Sequence, residues 1–561
     1  MSGGLIQLIA HGSQDFYLTG NPQITFFKTV YRRYTNFSTE TIEHQFTGEP
    51  NFNKRLSSRI IKNGDLLTKM YVKICVGKVC LKNLYNTQYT DDIDTDIDTK
   101  TNKLSGYKFA WVRRLGHAIL KEISVDFGGN VIDRQYGTWL DIWYELSRNP
   151  DHDVGYAHMI GDVPELTEYN SRDKDEYTMY IPLQFWFNRF CGLAVPLIAL
   201  QYHEMNIHIE LEKIEKLIIV NDCIDKSEIC LKDVSLLIDY VYLDTDERKR
   251  FAQVGHEYLV EQLQWNGIER AIDNIKRYRL DFNHPVKELF WALKQGNYIS
   301  GKAFVYYSHE KEWCIEDAAK TILKKSISIG NNPKDIVGGK WIKIDPKEIS
   351  TVDNLNIRNN YNQKVYVNPN SLMIDDYGIT NKICANITIN KNGKIICKDI
   401  ETTITIRDLS FPVEMMNDTR FNAKDPIVYQ FNNYGLLIDG TVNPVRTTSL
   451  QLNGNDRFDT REGAYFNYVQ PEYHHRNTPA DGINVYSFSL FPEEYQPSGA
   501  ANFSRIEKSD LIVGFYDPTV DYDLPELNYL NEDNEFFIYG VNYNVFRIMS
   551  GLSGLAYIRK I

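Results

Sequence analysis

One pattern of strand, turn and aromatic segment occurs twice along the chain, and this repetition restricts the possible folds more than any other feature. In the first half an apolar strand runs into SVDFGGNVIDRQYGTWLDIWYEL, and in the second half TTSLQLNGNDRFDTREGAYFNYV follows the same plan. Each copy has a Gly/Asn turn, an Asp-Arg pair (Asp133-Arg134 and Asp456-Arg457) and an aromatic segment of helical character. Two homologous domains in tandem are the economical interpretation, and chance similarity between tyrosine-rich β sequences is the alternative.

The repetition continues downstream, where YTMYIPLQFWF followed by PLIALQYHEMNIHIEL parallels INVYSFSLF followed by FSRIEKSDLIVGF. Short apolar runs with partial alternation, separated by Gly, Asn, Asp and Pro, predict antiparallel strands. These runs are Leu66–Val76, Ile119–Phe127, Met205–Leu211, Val234–Leu243, Leu289–Leu293, Leu450–Leu452, Val485–Leu490, Leu511–Phe515 and Phe536–Val545. Helical patterns are few, at Gly137–Leu146, Gly192–Gln201 and Arg461–Gln470. The architecture is therefore predicted to be mostly β.

The size and composition of the chain agree with two packed β domains. Its 561 residues exceed what one ordinary core serves, and 37 Tyr and 27 Phe favour pleated surfaces. The formal net charge of -12 offers no positive field for a phosphate backbone, so nucleic acid is not expected as a direct partner. The eight cysteines form no C-x-x-C pair, which suits reduced thiols in a cytosolic setting. The N-terminal apolar run Leu5–Ala10 is too short for a signal peptide or a membrane span.

Sequence motifs for catalysis or cofactor binding are not found. Neither G-x-x-x-x-G-K-[ST], G-x-G-x-x-G nor G-x-S-x-G occurs. Asp92, Asp94 and Asp96 resemble the start of a calcium loop, but Ile97 and Lys103 stand where glycine and a bidentate glutamate are needed. We therefore expect no enzyme activity and no cofactor, and interpret the acidic tract as a solvated loop.

Histidines suggest a metal site at two places, and both are disfavoured. One is His203-Glu204 with His208 and Glu210, and the other is the pair His474-His475. A cupin-type metal site needs H-x-H followed closely by Glu, whereas a spacing of five residues places the imidazoles of His203 and His208 on opposite faces of one strand. No metal is therefore expected.

Long segments distributed over the whole chain resemble the major capsid proteins of nucleocytoplasmic large DNA viruses, the group of phycodnaviruses, iridoviruses and mimivirus relatives. The segments that carry the resemblance are Asn21–Ser38 (NPQITFFKTVYRRYTNFS), Ile181–Glu204, Tyr242–Gln262, Leu450–Thr478 (LQLNGNDRFDTREGAYFNYVQPEYHHRNT), Tyr486–Ile506 (YSFSLFPEEYQPSGAANFSRI) and Tyr543–Tyr557. Residues 300–446 match no pattern of that family.

The resemblance implies an all-β fold of two tandem eight-stranded jelly rolls, a double jelly roll, with short helices and a large loop insertion in the second. The corresponding division is an N-terminal arm over 1–35, a first jelly roll over 36–243, a linker over 244–257, and a second jelly roll over 258–561 that contains the insertion 300–446. The charged linker is interpreted either as solvated or as a contact to a neighbour's acidic surface.

By the same resemblance the protein is expected to be the major capsid protein of a virion, assembled in the host cytoplasm as a homotrimeric, pseudo-hexagonal capsomer of an icosahedral shell. The insertion and the loop Lys78–Lys108 are then expected on the exterior, and the arm on the interior. Neighbouring capsomers, minor capsid proteins and an internal membrane surface are the expected partners. The alternatives are a minor capsid or scaffold protein of the same fold, and a glycan-binding surface protein.

A basic and aromatic cluster in the arm is the candidate inner contact site: Phe26, Phe27, Lys28, Tyr31, Arg32 and Arg33, followed by Tyr34. The alternative is that these residues anchor the arm to the base of the first barrel. Four N-x-[ST] sequons stand at Asn36, Asn386, Asn417 and Asn502, and cytosolic assembly makes N-glycosylation at them unfavoured.

Overall fold

The structure is a computed structural model, and it describes most of the two predicted domains. The described residues are 3–10, 19–29, 31–84, 97–98, 103–104, 109–167, 172–220, 225–294, short strands between 336 and 405, residue 434, residues 443–521, residue 530 and residues 534–557. The candidate calcium residues and the sequon at Asn417 lie outside them.

Among its described residues, the first half of the chain contains thirteen strands. They are β1 Phe37–Gln45, β2 Arg55–Arg59, β3 Leu66–Val76, β4 Ile97–Asp98, β5 Lys103–Leu104, β6 Phe109–Trp111, β7 Leu120–Phe127, β8 Asn130–Tyr136, β9 Tyr177–Pro182, β10 Val195–Pro196, β11 Met205–Leu211, β12 Ile218–Val220 and β13 Leu231–Leu243. The helices are α1 Gly3–Ile9, α2 Leu81–Leu84, α3 Leu115–Ile119, α4 Gly137–Ser147, α5 Asp153–Ile160, α6 Pro164–Thr167, α7 Trp186–Arg189 and α8 Thr245–Gln253.

The second half repeats this order of strands. Its elements are β14 His256–Glu269, β15 Ile275–Arg279, β16 Pro285–Lys294, β17 Ile336–Val337, β18 Ile342–Ile349, β19 Leu355–Asn359, β20 Lys364–Val367, β21 Met373–Ile374, β22 Lys382–Lys391, β23 Lys394–Thr405, β24 Val445–Leu452, β25 Asn455–Glu462, β26 Ile483–Ser487, β27 Ala501–Asn502, β28 Ser509–Phe515, β29 Glu535–Met549 and β30 Leu552–Leu555. A π-helical turn, Tyr465–Val469, leads into α9 Gln470–His474, and α10 is Pro518–Asp521.

Each half folds as a jelly roll of two facing antiparallel sheets. In the first, β1-β13-β3-β9 faces β2-β11-β7-β8, and in the second, β14-β29-β16-β26 faces β15-β28-β24-β25. Strands that come at the same point in the chain order of each jelly roll occupy the same position in its sheets. In addition, β10 pairs with β3 in the first jelly roll, and β27 pairs with the equivalent strand β16 in the second. The predicted tandem of eight-stranded jelly rolls is confirmed.

Alternation of side chains explains why these segments form half-buried strands. In β11 the residues Met205, Ile207, Ile209 and Leu211 are buried and their neighbours are partly exposed. Strands of this pattern close a core between two sheets when their apolar faces meet. The first core also contains Phe109, Trp111 and Trp186, and the second contains Tyr278, Trp291 and Phe466.

The repeated turn is equivalent in the two halves, but the Asp-Arg pairs are not. Gly128-Gly129 and Asn453-Gly454 each close a two-residue hairpin with positive φ angles, as a type I′ turn requires. Beyond the turn, Asp133 lies opposite Val125, whereas Asp456 lies opposite Gln451. Asp456 follows its turn by two residues and Asp133 by four, so the alignment of the two pairs was wrong.

The helix predicted over Gly192–Gln201 is wrong, because this segment consists of two 3₁₀ turns, Cys191–Leu193 and Leu197–Ala199, separated by β10. Pro196 has no N–H to donate and pushes the residue before it to an extended conformation, which interrupts a helix. Conversely, the charged stretch read as a linker contains α8, whose N-cap Asp244 accepts a hydrogen bond from the N–H of Thr245.

Other predicted boundaries shift by a few residues. The helical segment expected over Arg461–Gln470 begins later, because β25 continues to Glu462. The strand expected over Val485–Leu490 is β26, which ends at Ser487, where the Ser487 hydroxyl hydrogen-bonds the backbone of Ser489 in a turn.

The arm and the two long connections leave the molecule at opposite ends. The arm enters β1 at Phe37, which pairs with Leu243 at the end of β13. On the neighbouring strand β3, Leu66 starts near that same end, and Val76 pairs with Leu231 at the other. The connection from β3 to β7 therefore departs from the end opposite the arm, and the equivalent connection from β16 to β24 departs beside Glu535, far from the start of β14.

The second of these connections contains a sheet of its own. Strands β17 to β23 form a seven-stranded antiparallel sheet. Lys391 at the end of β22 pairs with Lys394 at the start of β23, so these two strands form a hairpin.

Candidate functional site at the joint between the jelly rolls

The two jelly rolls meet through a helix of the first and a sheet face of the second. One side of α4 forms a ridge, defined by Trp139, Ile142, Trp143 and Leu146, all less than a tenth exposed. This ridge packs on the outer face of the sheet β14-β29-β16-β26, defined by Phe290, Ala292, Ile483, Val485, Phe537, Tyr539 and Val541. The ring centroids of Trp139 and Phe290 lie 5.0 Å apart. Burial of this much aromatic area holds the two jelly rolls together as one body.

Beside the ridge, the edge strand β8 lies against the edge strand β14. The Asp133 carboxylate accepts hydrogen bonds from the backbone N–H of Leu263, at 3.0 Å, and of Arg134, at 2.9 Å. Gln262 donates from its side chain to the carbonyl of Ile132. Burial raises the pKa of Asp133 to about 7, even though these N–H groups favour the charged form.

A buried ionic cluster joins the two units. Arg189 at the end of α7 lies 2.7 Å from Glu261 of β14, which also accepts from the ammonium of Lys287 at 2.5 Å. Burial alone would raise the pKa of Glu261, but Lys287 and Arg189 hold it below its ordinary value. The Arg189 guanidinium also stacks on the ring of Trp143 in the ridge, 5.1 Å from its centroid.

A second ionic cluster lies where the ridge meets the segment after α9. The fully buried side chain of His475 has Nε2 2.9 Å from Glu288 and Nδ1 3.1 Å from Glu493. Burial alone would lower the pKa of His475, but the two carboxylates raise it to about 9, so the ring is an imidazolium at neutral pH. Its ring lies edge-on to that of Trp143, with centroids 6.4 Å apart.

A third cluster fixes the other side of α4. Arg114 forms ion pairs with Asp141 and Glu145, and Asp141 accepts a 3.0 Å hydrogen bond from the hydroxyl of Tyr434, which belongs to the second half. The carboxylate of Glu145 also accepts from the N–H of Ala480, at 3.3 Å. The middle and the last turn of the helix are therefore held by residues distant in sequence.

The arm, in contrast, makes little contact with the rest of the chain. Phe26 is 88% exposed, Phe27 97% and Tyr31 88%. Lys28, Arg32 and Arg33 are also exposed. The candidate residues therefore lie along one exposed segment, and their side chains do not pack on the first jelly roll.

The histidines considered as metal ligands have other partners. His203 hydrogen-bonds the backbone and hydroxyl of Ser553, and Glu204 pairs with Arg59. His208 lies 2.5 Å from Asp126, and Glu210 pairs with Lys121. Within the described ranges, no group of three or more His, Cys, Asp or Glu side chains is arranged to hold a metal ion. Among the same residues no helix is long and apolar enough to cross a membrane.

Of the sequons, Asn36 is exposed just before β1, and Asn502 is exposed but accepts a hydrogen bond from the N–H of Ser504. Asn386 lies in β22.

The joint itself was not anticipated from the sequence. Its charged residues pair across 18 to 187 positions, so no local spacing reveals them. His475 was considered only as a metal ligand. The one available signal was the aromatic side of α4, whose Trp and Ile residues recur on one helical face.

Comparisons with known proteins cover the whole chain. A family model described as major capsid protein N-terminus matches residues 25–244, and another described as large eukaryotic DNA virus major capsid protein matches residues 247–554. Capsid protein 1 of Acanthamoeba polyphaga mimivirus is 39% identical over 99% of this chain and 100% of its own length. The major capsid protein of Phaeocystis pouchetii virus is 35% identical with the same coverage.

Solved structures agree. The crystal structure of PBCV-1 VP54, fitted into a reconstruction of the virophage Sputnik, has a TM-score of 0.60 at 27% identity, over 95% of this chain and 100% of that one. The Faustovirus major capsid protein has a TM-score of 0.57 at 12% identity, over 96% and 94%, and this likeness concerns the fold alone.

Proposed function

Because the chain belongs to the large eukaryotic DNA virus major capsid protein family, we propose that three copies of it close into a pseudo-hexagonal capsomer that tiles an icosahedral shell. Membership places the protein in the capsid shell of the virion, with other capsid components around it. The proposal adds the homotrimer, its assembly in the host cytoplasm, and the absence of direct nucleic-acid contact, for which the net charge of -12 is the support.

The observation that carries the proposal is the buried joint between two jelly rolls of the same topology. A shell subunit must keep its shape while neighbouring subunits bind it. Two jelly rolls that are held together by an aromatic ridge and ionic clusters behave as one rigid subunit. Three such chains present six similar barrels, which approximates a hexagon from one gene product.

Native mass measurement of the recombinant protein tests the trimer. We expect a species of about three times 65.2 kDa. A protein that stays at the mass of one chain at every concentration would contradict it.

We further propose that the exposed arm faces the interior of the shell, where Phe26, Phe27, Lys28, Tyr31, Arg32 and Arg33 contact minor capsid proteins or an internal membrane surface. Exposure of these side chains supports a contact outside the chain. Deletion of residues 1–33, which removes all six of these side chains, is expected to leave trimers intact and to prevent facets from forming. Unfolded monomers after this deletion would instead support the anchoring role.

The insertion 300–446 and the loop Lys78–Lys108 are proposed to face outward. Their connections depart from the end opposite the arm, which supports this orientation. Limited proteolysis of intact capsids is expected to cleave within the insertion and to spare the arm; cleavage restricted to the arm would reverse the orientation.

We propose that Asn36, Asn386, Asn417 and Asn502 carry no N-linked glycan. Intact mass of protein from virions is the measurement, and a peptide carrying a glycan at any of the four would contradict this.

A further inference from the structure

The aromatic ridge of the joint has a counterpart on the second jelly roll, and among the described residues no sheet face packs on it. Gly137 and Gly463 occupy equivalent positions, where the edge strand β8 or β25 ends and helical structure begins. A Cβ on Gly137 would meet the carbonyl oxygen of Leu120 at the start of β7, and a Cβ on Gly463 would meet that of Val445 at the start of the equivalent strand β24. Leu140 and Phe466 are each the third residue after the glycine, and they are buried in the cores of the first and the second jelly roll, respectively. The residues after Gly463 therefore form a second ridge equivalent to that of α4.

The two ridges differ in exposure. In α4, Ile142 is fully buried and Trp143 is 6% exposed, whereas their counterparts Tyr468 and Val469 are 44% and 39% exposed. Tyr473, one turn further, is 75% exposed. In the part of the chain that the structure describes, no strand pairs with the outer edge of β25, the counterpart of β8. The second ridge is thus presented to solvent with its companion edge.

The first jelly roll carries the matching sheet face. The sheet β1-β13-β3-β9 is equivalent to the sheet of the second jelly roll on which α4 packs. On its outer side, Leu237 of β13 lies between Glu43 of β1 and Tyr71 of β3. Next to them on the same side, Tyr180 of β9 lies opposite Lys73 of β3. Leu237 and Tyr71 are partly exposed and Tyr180 is 40% exposed. This side is more polar than its counterpart in the second jelly roll.

We propose that the second ridge of one copy, Tyr465, Tyr468, Val469 and Tyr473, packs on this outer face of the first jelly roll of the next copy, with β25 beside β1. The inference rests on the proposed trimer and specifies its contact surfaces. Each chain has the ridge on its second jelly roll and the sheet face on its first, so copies can join head to tail. A ring can then close in which every contact between chains has the same form as the joint within the chain.

The chemistry of the two surfaces fits an interface formed after folding. The ridge inside the chain uses Trp, Ile and Leu, which are buried as soon as the chain folds, whereas the second ridge uses Tyr, which tolerates water before assembly. Both edges are polar as well: β25 carries Arg457, Asp459 and Arg461, and β1 exposes Glu40. Charged edge strands keep unassembled chains from pairing at random.

Charge substitutions on each surface test the assignment. Tyr468→Arg on the ridge and Tyr180→Arg on the face are each expected to convert the three-chain species into single chains that remain folded and still unfold cooperatively on heating. Tyr202→Arg is the matched control, since Tyr202 is 73% exposed and lies on neither surface, and it is expected to leave the trimer intact.

A trimer that survives both surface substitutions would overturn the inference while leaving the trimer itself standing. A wild-type protein that never exceeds one chain would instead contradict the proposed function. Loss of the trimer in Tyr202→Arg as well would also overturn the assignment to these two surfaces.

Mixing the two surface variants gives a second readout. The Tyr180→Arg chain keeps an intact ridge and the Tyr468→Arg chain keeps an intact face, so one joint forms between them and cannot propagate. Native mass spectrometry of the mixture is expected to show a species of two chains containing one of each variant. A mixture that contains only single chains, or any species of three, would contradict the pairing of ridge with face.

Discussion

At the scale of single residues, the imidazolium of His475 is the group whose loss should matter most. In His475→Leu the fully buried carboxylate of Glu288 loses the imidazolium beside it, while Glu493 keeps its ion pair with Arg476. The free energy of unfolding is expected to fall by about 3 kcal/mol or more. Chemical denaturation at pH 7 measures this. The neighbouring His474→Leu serves as the control, since His474 hydrogen-bonds the carbonyl of Leu490 and no carboxylate among the described residues forms an ion pair with it. It should change stability by less than about 1 kcal/mol.

The same group gives the stability a pH dependence of defined sign. A pKa raised from 6.5 to about 9 stabilises the folded state fully below pH 6.5, and this contribution is lost as the pH rises through 9. The free energy of unfolding, measured between pH 7 and pH 10, should therefore fall more steeply with rising pH for the wild-type protein than for His475→Leu. Parallel curves would show that the ring is not charged.

Substitution of Asp133 should raise the stability of the protein, whereas substitution of His475 should lower it. With a pKa raised to about 7, its carboxyl is neutral in the folded state at pH 5 and must carry a buried charge at pH 8. Asp133→Asn keeps an oxygen for the N–H of Leu263 and is expected to raise stability at pH 8 by up to about 4 kcal/mol, with little effect at pH 4. Asp456→Asn, at an exposed position, should show no such pH-dependent gain.

These residue-level features were beyond sequence reasoning. Asp133 and Asp456 look alike in the sequence, yet only the first lies against another jelly roll. Burial and charge partners depend on packing between distant segments, which no spacing of residues records.

At the scale of elements, the strand-to-helix change after β8 and β25 requires glycine. A Cβ at Gly137 would lie 2.2 Å from the carbonyl oxygen of His117, and one at Gly463 would lie 1.9 Å from that of Val445. Gly137→Ala and Gly463→Ala are each expected to destabilise the protein by about 3 kcal/mol, measured by thermal unfolding. Gly155→Ala in α5 meets no atom within 4 Å and should be neutral or slightly stabilising.

The strands were largely predictable, because alternation and tight turns are local properties. Leu66–Val76 and Met205–Leu211 agree with β3 and β11 at both ends. The errors fall where local signals conflict, as at Pro196 inside an apolar run, or where helical character is hidden by charge, as in α8. The repeat was found correctly, and only its internal register was wrong.

At the scale of the whole molecule, the arm should be separable from the stability of the body. Phe26→Ser with Phe27→Ser is expected to leave the unfolding temperature and the trimer mass unchanged, because both rings are almost fully exposed. The same protein should bind less to vesicles of anionic lipid or to inner shell components. A large fall in unfolding temperature would mean that the rings pack on the body after all.

The double jelly roll was predictable as a whole because the two halves repeat and the family resemblance runs from end to end. How the halves are joined was not, since the joint combines α4 with a sheet face that begins more than a hundred residues later. Family resemblance predicts the architecture, whereas the contacts at the joint depend on packing between segments distant in sequence.

The long connection between β16 and β24 has a consequence for how such a coat protein can change. It starts and ends on one jelly roll, at the end opposite the arm, and it contains its own sheet. The free energy of closing a loop grows only slowly with its length, by about 0.6 kcal/mol for each doubling. We therefore expect this position to accept domains of different size and sequence while the two jelly rolls keep their geometry.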